Sequence, residues 1–230
     1  MVLKIVKTIW PVMLTYVAIA APCGMIMAQT GMEPWMVFAL SSTFVTGSGQ
    51  FMICNLWLAG VPAASIVASV AAISSRFALY SASIAPHLRG ASKRQTLAVA
   101  ATLTEEAYGI SLGKLVEGED WGPLESFVLN VILIATWGVS CTTGAIVGAV
   151  VDVPTAIAGF VCTSLFICLL FSQRLSRGNV VAAGLAAVSV AICKFWGWTN
   201  IAVPASVLVG VVTALACDVL AEGRGARDAR

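Results

Sequence analysis

Four side chains in this sequence sit where a charge or a hydroxyl is costly: Arg76, Tyr80, Glu105 and Glu106. Arg76 lies well inside the apolar run of ISSRFALYSASIAPHLR. A charge at the centre of a bilayer costs at least ~2.5–3.5 kcal/mol on insertion scales, so it needs a partner or a water-filled cavity. Tyr80 follows one helical turn later on the same face. Glu105 and Glu106 are adjacent in TLTEEAYGISLGK. Neighbouring helix positions point about 100° apart, so the two acids cannot face one partner. One is expected to pair with Arg76, while the other lines a cavity or titrates. A carboxyl held in a low dielectric favours its protonated form, the property that proton coupling needs. The plainer readings are an Arg76 that snorkels to an interface and an ion pair that only locks two helices.

A second set of candidates lies in the run TFVTGSGQF. Gly47, Ser48, Gly49 and Gln50 form a very poor helix-forming stretch, so a break is expected inside an apolar segment. Non-helical backbone at membrane depth is tolerated only where it is buried in protein or lines a wet cavity. The free N–H and C=O ends of a broken helix bind charged groups. Gly49 and Gln50 are therefore candidate binding positions; a kink packed by small residues, with Gln50 bonded to a neighbour, is the plainer reading. Another weak point occurs at TWGVSCTTGAIVG, with Asn130 earlier in the same segment. Paired interruptions in two halves of a chain point to a transporter site. The Thr–Gly pairs (Thr46–Gly47 and Thr143–Gly144) suggest an internal repeat and add Thr143 and Gly144 to the candidates. Hydroxyls of Ser and Thr also bond their own helix carbonyls, which needs no ligand. Gly144 and Gly148 make a G-x-x-x-G, expected to pack helices closely inside the chain.

These residues must be positioned by membrane helices. The 230 residues are 59% hydrophobic and 10% charged, with mean hydropathy +0.94. A soluble domain is about a quarter charged, and its surface could not hide so much apolar area. The reading is an all-α, polytopic transmembrane helical bundle of seven or eight spans with at least one broken helix. At roughly 20 residues per span, spans are expected near 8–30, 34–59, 62–85, 96–116, 124–150, 154–171, 178–193 and 203–220. Pro34, Pro62, Pro123, Pro154 and Pro204 sit at or just before span starts, where a missing N–H is harmless. One transmembrane domain covers 1–221, and the tail EGRGARDAR makes 222–230 a charged flexible end. The start, MVLKIVKTIW, reads as a first span with a basic flank and not as a cleaved signal. The Lys/Arg distribution favours both termini in the cytoplasm, although the basic loop 86–94 opposes it.

Absences narrow the chemistry. The seven cysteines form no C-x-x-C pair and the single His is remote from them, so neither a metal site nor disulfides are expected. No P-loop, dinucleotide fingerprint, H-E-x-x-H or G-x-S-x-G is present. The chain is expected to be no enzyme, to have no catalytic residues, to use no cofactor and to bind no nucleic acid. A ring of repeated filter residues, the mark of a channel, is missing as well.

The interrupted second span, the block S-x-R-F-x-L-Y-S-x-S-I-A-P-H-L-R and the following T-E-E-A-Y-G resemble the AzlC family of branched-chain amino acid exporters. The resemblance covers most of the chain up to about residue 150. Ser74 stands where the family commonly has Asn, and Glu105–Glu106 where it commonly has Asp-Glu. The resemblance implies that Arg76, Tyr80, Glu105 and Glu106 form a polar core. It implies export of small amino acids (leucine, isoleucine and valine), in a bacterial inner membrane, with a small AzlD-like membrane subunit as partner. In that scheme Arg76 holds the substrate carboxylate or clamps a glutamate, and Glu105 or Glu106 meets the ammonium or carries the coupling proton. The alternative is a structural or assembly subunit whose buried Arg–Glu pairs only lock helices.

Overall fold

The computed structural model describes residues 1–88, 90–117, 121–150 and 177–197, with positions 160, 163–164, 167, 205–206, 208–210 and 212–213. Most of the expected spans 154–171 and 203–220, the tail 222–230, Arg89, Cys162, Cys168 and Cys217 lie outside the described residues. The chain runs α1 (Val2–Gln29), α2 (Pro34–Thr43), α3 (Gly47–Leu58), α4 (Ala63–Ser74), α5 (Arg76–Ile84) and a 3-10 turn at Ala85–His87. It continues with α6 (Lys93–Ala101), α7 (Glu105–Glu117), α8 (Pro123–Val150) and α9 (Arg177–Phe195). Every regular element among the described residues is helical.

Local sequence explains most of the boundaries. Pro34 opens α2 and Pro123 opens α8, where proline's fixed φ suits the first turn and its missing N–H is harmless. Ser92 and Gln95 cap α6 reciprocally, each side chain bonding the other's backbone N–H. Val2–Gln29, Ala63–His87 and Pro123–Val150 are long and apolar enough to cross a membrane. A helix of 28 residues, such as α1 or α8, extends about 42 Å, more than the ~30 Å of hydrocarbon it must cross. The expected span 34–59 is divided between α2 and α3, but at Phe44–Thr46; the run Gly47–Gln50, expected to be the break, is the first turn of α3. The expected span 96–116 is divided as well, at Thr102–Thr104 between α6 and α7.

The weak point expected at 140–144 is instead unbroken helix inside α8. The hydroxyls of Thr142 and Thr143 bond the Gly138 and Val139 carbonyls at 2.7 and 2.9 Å. Their polarity is thus absorbed by the helix itself.

Two compact units make up the chain. The first joins Met1–Asn55 to Ser74–Thr163 and has α8 at its centre, with α1, α2, α6 and α7 against it. Along α8 the buried residues Leu129, Leu133, Trp137, Cys141 and Ala145 recur every fourth position, one continuous stripe. They meet the α1 stripe that includes Tyr16, Ala20, Cys23 and Met27. At this seam a Cβ on Gly24 would collide with the Cys141 carbonyl, and one on Gly144 with the Ala21 backbone. On Gly148 it would stand 3.1 Å from the Met25 Cα. The G-x-x-x-G therefore packs α8 onto α1 within the chain, as small residues do in lipid. The contacts Tyr16–Trp137, Ala21–Gly144 and Met25–Gly148 ascend together, so α1 and α8 run parallel. The second unit comprises Leu56–Ile73 and Ser164–Arg230, and holds α4 and α9. Gly210 there packs beside Ala186 of α9, whose Cβ would be in van der Waals contact, at 3.7 Å, with a Cβ built on the glycine.

Candidate functional site

The two helix breaks are built alike. At the first, the Thr46 hydroxyl accepts the Gly49 N–H at 3.1 Å and its carbonyl accepts the Gln50 N–H at 3.0 Å, which makes Thr46 the N-cap of α3. At the second, the Thr104 hydroxyl accepts the Ala107 N–H at 3.2 Å and its carbonyl the Tyr108 N–H at 2.9 Å. An amide side chain holds the upstream half in each case. Gln50 donates to the Phe44 carbonyl, and Asn130 donates to the Val99 carbonyl at 3.1 Å and to the Thr102 hydroxyl at 3.0 Å. The counterpart of the first break is therefore the run Thr102–Leu103–Thr104.

Gln50 is fully buried and its oxygen accepts from the Trp137 indole at 2.9 Å and the Ser41 hydroxyl at 3.3 Å. A Cβ on Gly47 would stand 2.7 Å from the Trp137 ring, so only glycine there lets the indole reach Gln50. This amide is a pin that closes the gap between α2 and α3. The Gly49 N–H is likewise committed to the Thr46 cap.

Arg76 is the first residue of α5 and Glu105 the first of α7; Ser48 is the second of α3. Arg76 forms an ion pair with Glu105 and donates to the Ser48 hydroxyl at 2.6 Å. Two helix N-termini, those of α3 and α7, thus meet at one guanidinium, while Arg76 itself follows α4 through Ser75, whose backbone is helical. Each of the two N-termini carries roughly half a positive charge from its unsatisfied N–H groups, so the place favours anions even before Arg76 adds its own charge. Glu105 is the anion that occupies it. The Arg76 and Glu105 side chains keep 24% and 22% exposure, and the Arg76 Nε has no partner among the described residues. Arginine has five donors in a fixed fork, and here some remain to be used.

Glu106 points elsewhere, as adjacency on a helix demands. Its carboxylate accepts the Tyr16 O–H at 2.6 Å, and the same hydroxyl lies 3.1 Å from the Thr104 oxygen. Tyr16, 5% exposed, sets its ring edge against Trp137 with centroids 5.3 Å apart. Tyr80 stacks on Tyr108 at 4.6 Å, and the Tyr108 hydroxyl bonds Ser83 at 3.0 Å. Together with Phe77, 5.6 Å from the guanidinium, they form an aromatic wall beside the ion pair.

Of the eight positions singled out from the sequence, Arg76 and Glu105 touch, and Glu106 and Tyr80 lie within the first two turns of the same helices. Gly49 and Gln50 build the neighbouring break. Thr143 is exposed, its hydroxyl bonded to its own helix, and Gly144 lies in the α1–α8 seam; neither joins the Arg76 cluster. Sequence reasoning missed Tyr16, Ser48 and Thr104 as contributors. One signal was available: all three tyrosines of the chain, Tyr16, Tyr80 and Tyr108, contact this cluster or its wall. Among the described residues no three His, Cys, Asp or Glu side chains gather to hold a metal ion.

The profile of the AzlC family, described as AzlC protein, matches residues 11–151. Over 214 residues the chain is 26% identical to the inner membrane protein YgaZ of Escherichia coli (strain K12), covering 88% of this chain and 83% of that protein. No solved structure matches. The family match takes in more than half the chain, including both helix breaks, Tyr16, Arg76 and the Glu105–Glu106 pair, and with the apolar helices it identifies the chain as a membrane-embedded member of the AzlC family, a family of transporter type.

Proposed function

We propose that the chain is a secondary exporter of small zwitterionic amino acids, the branched-chain aliphatic ones above all, driven by the proton gradient and not an enzyme. The observation that carries this reading is the meeting of two helix N-termini, those of α3 and α7, on Arg76. A substrate carboxylate is the natural competitor for Glu105 there, because it offers the same group to the same donors. Once displaced, Glu105 is free to meet the substrate ammonium. Glu106, which takes no part in that pair, carries the proton. The wall of Phe77, Tyr80 and Tyr108 supplies apolar surface for an aliphatic side chain. A small AzlD-like membrane subunit completes the transporter in a bacterial inner membrane, with the termini of this chain in the cytoplasm.

The test is leucine efflux from cells loaded with a leucine dipeptide. Arg76→Ala and Glu106→Gln are each expected to lower efflux at least about tenfold, roughly 1.4 kcal/mol of lost transition-state stabilisation. Efflux that is unchanged in both variants overturns these roles. A second reading is favoured by the direct Arg76–Glu105 contact: a subunit in which the pair only locks α5 to α7. It predicts loss of folded protein without loss of transport per folded molecule.

A further inference from the structure

Tyr16 belongs to α1, far in sequence from the acids, yet its hydroxyl stands between two acceptors on α7. It is 2.6 Å from the Glu106 carboxylate and 3.1 Å from the Thr104 hydroxyl oxygen. A phenol has one proton to donate. When Glu106 is ionised, the shorter, charge-assisted bond takes it. When Glu106 is protonated that advantage is gone, and Thr104 offers the alternative. Thr104 is also the N-cap of α7, and the residue after it, Glu105, is paired with Arg76.

We propose that Tyr16 is a positioning residue that reads the protonation of Glu106, its O–H passing from the Glu106 carboxylate to the Thr104 oxygen as the carboxyl takes up a proton from the medium. The proposal rests on the reading of this site as proton-coupled. Tyr16 keeps its own proton throughout; only the acceptor changes. The exchange alters the cap of α7 one residue before the acid that pairs with Arg76, and so connects proton uptake to the anion site. Trp137 holds the Tyr16 ring in place by an edge contact and is itself fixed by Gln50. Among the described residues the other ionisable groups around Glu106 have contacts of their own. Glu105 and Arg76 are paired with each other, Tyr80 and Tyr108 are stacked together, and His87 in the adjoining 3-10 turn is exposed and contacts the Ser83 carbonyl. On α8 the groups near this break are the uncharged Asn130 and Trp137.

The experiment is pH-titrated infrared difference spectroscopy on the purified full chain in lipid nanodiscs, following the stretch of the protonated carboxyl. Glu106→Gln assigns the band by removing it. Tyr16→Phe deletes the donor that favours the ionised form, so the band's midpoint should move to higher pH, on the order of one unit. Thr104→Ala deletes the alternative acceptor, so the midpoint should move to lower pH, while Thr104→Ser restores it. A wild-type midpoint in folded Tyr16→Phe overturns the proposal. If Tyr16→Phe does not fold, equal midpoints in Thr104→Ala and Thr104→Ser overturn it. Leucine flux measured on the same preparations separates the two claims. Opposite shifts without leucine flux uphold Tyr16 and sink the substrate; flux with unshifted midpoints does the reverse.

Discussion

Removing one partner of the Arg76–Glu105 pair strands the other charge at the meeting point of three helices. For a fully buried pair that costs about 3–5 kcal/mol. Here both side chains keep about a quarter of their exposure, so about 1–3 kcal/mol is the expected loss for Glu105→Leu or Arg76→Met alone. The double variant removes both charges and should unfold within about 1 kcal/mol of wild type, since apolar replacement of an ion pair is often neutral. The two functional readings part at this variant. If the pair only locks α5 to α7, the double variant transports normally per folded molecule. If Arg76 receives a carboxylate, efflux is lost in both single variants and in the double. Arg76→Lys sharpens the point, because it keeps the charge and loses the fork. An ammonium is a compact point charge and cannot reproduce the planar guanidinium that serves Ser48 and Glu105 together. Efflux from Arg76→Lys is expected to fall at least about tenfold, with the unfolding free energy within about 1 kcal/mol of wild type.

The helices meet these residues only because particular contacts hold the breaks and the seam. Trp137→Phe withdraws the indole donor from the fully buried Gln50, which should cost about 1–2 kcal/mol in a denaturation series. Gly144→Val forces a side chain into the Ala21 backbone, and overpacking of this kind costs about 1–3 kcal/mol. Thr143→Val, one position earlier but exposed, should change stability by no more than about 0.5 kcal/mol. The contrast explains what was legible in the sequence. The break at Phe44–Thr46 could be read to within a few residues because Gly47 and Gly49 follow it in the first turn of α3, and glycine and proline are the strongest punctuation a chain has. The break at Thr102–Thr104 contains neither; its signal was a cap, a threonine followed by two first-turn acids, and the acids drew attention as charges instead. The weak run at 137–144 was misplaced as a break because glycine and threonine have two uses. In α8 they let a neighbour approach and bond their own helix, which periodicity cannot distinguish from interruption. Arg76, Glu105 and Glu106 were legible because charge in an apolar run is costly wherever it falls. Tyr16 was not, because a tyrosine within an apolar span is ordinary until its partner is known.

At the scale of the whole molecule, the parallel run of α1 and α8 is a statement about topology that loop charges could not supply. Lys4 and Lys7 favour a cytoplasmic start, while Lys93 and Arg94 pull against it. Two parallel helices that each cross the bilayer oblige the chain between Gln29 and Pro123 to cross back an odd number of times, whichever way the protein is inserted. The N-terminal ends of α1 and α8 must then share one face of the membrane and their C-terminal ends the other. Four exposed positions report this: Lys7 and Leu124 near the two starts, Glu33 and Val150 near or just past the two ends. The described cysteines, Cys23, Cys54, Cys141 and Cys193, are buried and should contribute little background. Single cysteines at Lys7 and Leu124 should react alike with a membrane-impermeant maleimide, and those at Glu33 and Val150 should react alike from the opposite side. With a cytoplasmic start, the Glu33 and Val150 pair labels in intact cells, and the other pair labels only in inverted vesicles. If Leu124→Cys labels together with Val150→Cys, α8 does not cross the membrane. If it labels together with Glu33→Cys while Val150→Cys follows Lys7→Cys, α1 and α8 are antiparallel, and Tyr16 cannot meet Trp137 and Glu106 as the seam requires.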